Sequence, residues 1–130
     1  MIRWAFLPLS VLLLAGCATT DGTPFSLEQR AVDVLPDVIP DDQFETASVR
    51  SLGQSQELTS YFAVQRNDGS DGRVLTCLVA VRDDESWSSS CSTALPIEVQ
   101  LDNGEVAVLH EEGGQFEGTS VGEYLSVVLP

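Results

Sequence analysis

The stretch TSYFAVQRNDGSDGRVLTCLVAVR, residues 59–82, decides the fold. In its first part Tyr61, Ala63 and Gln65 alternate with Phe62, Val64 and Arg66, the two-residue period of a strand. Residues 67–72 (Asn, Asp, Gly, Ser, Asp, Gly) tolerate positive φ and read as a hairpin loop. The return, 73–82, is almost continuously apolar through Val74, Leu75, Cys77, Leu78, Val79, Ala80 and Val81. A strand apolar on both sides is buried on both faces, so this one is expected at the centre of a sheet.

Working towards the C-terminus, Asp83, Asp84, Glu85 and Ser86 form a turn, and 87–92 runs back beside the central strand. Segments 97–101 and 105–109 flank Asp102-Asn103-Gly104, a strong hairpin signal. A glycine-rich loop is expected over 111–122 and a last strand over 124–129. Towards the N-terminus, 46–52 reads as a weak strand, and 36–42, with Pro36 and Pro40, as irregular. Ser26-Leu27-Glu28-Gln29 has the form of a capping box, and Leu27, Ala31, Val34 and Leu35 fall on one helical face, so a short helix is expected to run to Pro36. The expectation is a mainly β domain (α+β possible): an antiparallel sheet, small sandwich or partly open barrel of about six strands with one short N-terminal helix. No repeat is present.

The chain has 130 residues and a net charge of −14, and it contains no lysine. Its arginines beyond Arg3 (Arg30, Arg50, Arg66, Arg73, Arg82) form no cluster in the sequence. Nucleic acid and anionic head groups would both repel such a chain, so no nucleic-acid partner is expected. A cationic or protein partner, or calcium, suits the charge better.

The first residues, Met-Ile-Arg, precede an apolar run over 4–14 and then Ala15-Gly16-Cys17. A basic start, an apolar stretch and small residues make a secretory signal. The run is shorter than the roughly 20 residues of a membrane-spanning helix. Leu14-Ala15-Gly16-Cys17 resembles the lipobox of bacterial lipoproteins. The resemblance implies cleavage after residue 16, a lipid (a diacylglyceryl group, with palmitate-type acyl chains) on Cys17, and a membrane partner held through that lipid. Two or three acyl chains, at about 0.8 kcal/mol per buried CH₂, anchor lastingly where one does not. Residues 1–16 are then a signal peptide, 17–25 a lipidated tether and 26–130 the acidic β-rich domain. The mature part, roughly 114 residues at a charge of about −15, is one domain in size and resembles small exported actinobacterial lipoproteins. The expected location is extracytoplasmic, on the cell membrane, or on the outer membrane of a Gram-negative source.

A lipid on Cys17 leaves Cys77 and Cys91 as an even pair in a disulfide-permissive compartment. A bridge between them closes a loop of roughly 15 residues, worth about 3 kcal/mol in the chain-entropy model. Zinc would need histidines, and His110 stands alone.

Gly118-Thr119-Ser120-Val121-Gly122 matches the nucleophile-elbow pattern, but the acid and histidine that should follow it are missing, so a hydrolase using Ser120 is the weakest option. Residues 67–72 depart from a calcium loop, with Gly69 in place of the third ligand and Leu78 in place of the glutamate. The acidic groups Asp41-Asp42, Asp83-Asp84-Glu85 and Glu111-Glu112 read as solvated turns, His110 as an exposed polar residue at a strand end, and Trp87 as packing over the disulfide. No catalytic residue, metal ligand or cofactor is expected. The expected function is a non-enzymatic interaction or envelope module. The alternative is a lipoprotein binding calcium or a small ligand near a membrane complex, for which Trp87 and Tyr61 would line a pocket.

Overall fold

The alternation in 59–82 becomes two long paired strands, and the other strands are arranged around them. In a computed structural model, residues 22–67 and 72–130 are described. The segment read as a signal peptide, Cys17 and positions 68–71 of the expected hairpin loop lie outside the described residues. The strands are β1 (Glu45–Gln54), β2 (Ser60–Asn67), β3 (Val74–Val81), β4 (Trp87–Ser92), β5 (Ile97–Gln100), β6 (Val106–Leu109), β7 (Thr119–Val121) and β8 (Leu125–Val128). They form two antiparallel four-stranded sheets, ordered β1-β2-β3-β4 and β5-β6-β8-β7.

The sheets stack face to face as a sandwich. Tyr61, Ala63, Leu78 and Ala80 of the first sheet meet Ile97, Val99, Ala107, Leu109, Leu125 and Val127 of the second in one buried cluster. The alternate residues Phe62, Val64, Cys77, Val79 and Val81 point the other way and form a second cluster with Val49, Ile39 and Phe44. This accounts for the two-sided apolarity of β3: one side faces the second sheet, the other a strap of chain preceding β1.

That strap corrects the sequence reading. No α-helix forms among the described residues of the N-terminal segment; two 3₁₀ turns, Pro24–Ser26 and Asp41–Gln43, stand there instead. The Ser26 hydroxyl donates backwards to the Thr23 carbonyl at 2.8 Å and caps nothing. The Gln29 amide donates to the carbonyls of Asp33 (3.3 Å), Thr46 (3.0 Å) and Val49 (3.3 Å). Of the supposed apolar face, Leu27 and Val34 are exposed, and the buried residue is Asp33. A helix would have satisfied only its own backbone. The loop puts a carboxylate and an amide against β1, and those bonds win. Packing also begins early: Pro24 is buried and Phe25 lies on the inter-sheet core, inside the stretch read as tether.

The eight strands exceed the expected six. The least expected is β7, inside the glycine-rich stretch. Gly118, at φ +102, lies so close to β8 that a Cβ there would stand 2.3 Å from the Val127 carbonyl oxygen. The first glycine of the G-x-S-x-G pattern therefore serves strand pairing.

Candidate functional site

Cys77 and Cys91 form a disulfide. They are direct cross-strand partners in β3 and β4, with Cα atoms 4.0 Å apart. So short a separation marks a non-hydrogen-bonded pair of an antiparallel ladder. One step beyond the strands, the Arg82 amide donates to the Ser86 carbonyl at 2.9 Å, which fixes the alternation independently. Ser88, Ser90 and Ser92 thus exchange bonds with β3, while the amides and carbonyls of Trp87, Ser89 and Cys91 point away from the sheet.

Those outward groups make the last edge of the first sheet, and the other three edges are finished differently. Along β1, the Ser51 amide donates to the Asp33 carboxylate at 2.7 Å, Gln29 covers the carbonyls of Thr46 and Val49, and Arg50 Nε reaches the Leu27 carbonyl at 3.0 Å. In the second sheet β5 is short, follows Pro96 and carries Glu98, and β7 has three residues. Short, charged or proline-flanked edges resist further pairing. β4 has six residues, Trp-Ser-Ser-Ser-Cys-Ser, with neither charge nor proline. Trp87 shares the outer cluster with the disulfide and meets Phe44 edge-on at 6.4 Å. Tyr61 lies on the opposite face of the sheet, so the two aromatics line no common pocket.

Sequence reading missed three polar arrangements. His110 is buried, not exposed. Its Nε2 is 2.9 Å from the Ser126 hydroxyl and its Nδ1 is 2.8 Å from the Glu111 carbonyl, while Phe116 stacks on the ring at 5.0 Å. Gly114 presses so closely that a Cβ there would stand 2.9 Å from Nδ1. Ser126 and His110, 3 % and 4 % exposed, are buried together, with the flap of residues 111–116 folded against the ring. Ser120 pairs with Ser126 across β7 and β8, but both imidazole nitrogens are engaged elsewhere. The cavity beside the flap, lined by Leu95, Pro96, His110 and Phe116, holds about 210 Å³, less than the 300 Å³ or so of a typical ligand cleft.

The second arrangement is Glu105, fully buried, which accepts from the hydroxyls of Thr59 and Tyr61, each at 2.8 Å. Burial works to raise its pKa, but bonds from Ser55, Thr59, Tyr61 and Asn103 together hold it below the ordinary glutamate value. Burial, and then the bond to Glu105, push the Tyr61 phenol well up. This carboxylate joins the first sheet to the β5–β6 turn. The third is Asp33, where burial is likewise outweighed by donors, led by the Ser51 and Arg30 amides. Both carboxylates are held ionised, the opposite of a general acid. Neither is signalled in the sequence, because each has decisive partners far along the chain, Ser51 for Asp33 and Thr59 and Tyr61 for Glu105.

Among the described residues, no three His, Cys, Asp or Glu side chains gather where they could hold a metal ion, and no helix is long and apolar enough to cross a membrane. No family model, curated protein or solved structure matches this chain.

Proposed function

We propose that the chain is an exported lipoprotein, tethered to its membrane through Cys17, whose β sandwich works as a non-enzymatic docking module in the cell envelope. The observation that carries this reading is the Cys77–Cys91 bond. Two of three cysteines are spent on each other, which suits an oxidising compartment and leaves Cys17 available to a lipid. The lipobox-like Leu14-Ala15-Gly16-Cys17 supports the address, and the charge of −14 supports a protein partner over nucleic acid. The long uncharged edge of β4 supports docking over catalysis. In the native host, Cys17→Ser is expected to leave an unprocessed precursor or to release the protein from the membrane fraction. A mature-length Cys17→Ser protein that stays membrane-bound would overturn the anchor.

A further inference from the structure

We propose that the free edge of β4 is a strand-addition site, which takes an extended polypeptide segment with basic residues at its C-terminal end as a fifth strand of the first sheet. The inference rests on the docking reading above and names its partner. Six backbone groups, the amides and carbonyls of Trp87, Ser89 and Cys91, project in strand geometry from a strand that the disulfide holds to its neighbour. Such a row is satisfied best by the backbone of another extended chain. The sequence protects three of the four sheet edges and leaves this one bare, although a single lysine or proline would have blunted it. The serines at 88, 89, 90 and 92 put no bulk in the way of an incoming strand, and the half-buried Trp87 ring offers one apolar neighbour.

Charge selects the partner. The turn leading into β4 carries Asp83, Asp84 and Glu85 against the single guanidinium of Arg82. A strand running antiparallel to β4 ends beside Trp87 and this turn, so basic residues at its C-terminal end meet three carboxylates. A second copy of this chain brings another charge of −14, with no lysine and no cluster of arginines in its sequence, and is repelled.

The test uses the full, disulfide-bonded chain and a synthetic peptide of alternating threonine and valine ending in two arginines. Titration with amide hydrogen exchange is expected to show saturable binding that protects the amides of Trp87, Ser89 and Cys91. Ending the peptide in two glutamates, or moving the arginines to its N-terminus, is expected to weaken binding about tenfold or more. Proline is tolerated where an edge amide faces solvent, so Ser89→Pro should fold and bind about tenfold more weakly or worse. Ser89→Lys, which keeps the amide but adds a repelling charge, should weaken binding too. No binding, binding without protection at these amides, or unchanged affinity in both variants would overturn the proposal. Protection of the same amides by dimerisation without peptide would also overturn it, in favour of a second copy. The lipid on residue 17 is read separately from the mass of membrane-extracted protein, so failure of the anchor and failure of the edge are told apart.

Discussion

The two edges of the first sheet, β1 and β4, face the same physical problem and meet it in opposite ways. β1 is covered by the strap: Asp33 takes the Ser51 amide, Gln29 covers two carbonyls, and a buried carboxylate is the cost of closing the ladder. Among the described residues β4 has no hydrogen-bonded strand on its outer side, and it is tied by a covalent bond to β3. A terminal strand has neighbours on one side only, so it frays unless something else holds it. The comparison teaches that an edge can be kept open and still be kept in place, provided the staple sits inside the sheet.

The comparison can be broken first at the staple. Replacing Cys77 and Cys91 by alanine, or reducing the bond, should cost about 3 kcal/mol by the chain-entropy argument. Denaturant melts of both forms would measure it, and unchanged midpoints would mean that β4 needs no tie. The β1 cap comes next. Asp33→Ala leaves the amides of Arg30 and Ser51 without their partner and should cost about 1–3 kcal/mol, with faster proteolysis of residues 22–44 as the local signature.

Acid should sharpen the contrast. Asp33 and Glu105 both have folded pKa values below their ordinary 3.8 and 4.5. Each therefore contributes stability that is complete above those values and is lost as pH falls through the lower folded ones. Thermal midpoints of the wild type should drop below about pH 4.5, whereas Asp33→Asn and Glu105→Gln should start lower and decline less steeply. A wild-type midpoint flat down to pH 3 would contradict both assignments. The smallest effect is local. Leu58, half-exposed in the turn between β1 and β2, has φ +63, where a side chain costs about 1–2 kcal/mol. Leu58→Gly should recover part of that, and the same holds for Glu85→Gly at φ +73 beside β4. Both are read by the shift in urea midpoint.

The parts of this molecule legible in the sequence are those where neighbours along the chain carry the information. Alternation in 59–66 and apolar continuity in 73–82 located β2 and β3, and Asp102-Asn103-Gly104 located the β5–β6 turn, because a strand's period and a turn's φ preference are local properties. The pairing of Cys77 with Cys91 is expected by elimination, since assigning Cys17 to a lipid leaves one even pair, and the two prove to be direct cross-strand partners. The strap was misread for the converse reason. Ser26 and Gln29 have the spacing of a capping box, but their partners are Thr23, Thr46 and Val49, and a bond across 17 or 20 residues leaves no trace in a local pattern. Ser126 escaped notice beside the more conspicuous Ser120 because its meaning lies 16 residues away, in His110. β7 was hidden by glycines that read as flexibility and serve close approach.

The difference between the edges is measured most directly by amide hydrogen exchange on the native, disulfide-bonded protein. The Ser51 amide, bonded to Asp33, should exchange slowly, and the Ser89 amide, pointing away from β3, should exchange near the rate of an unstructured chain. Equal protection at the two positions would contradict the account.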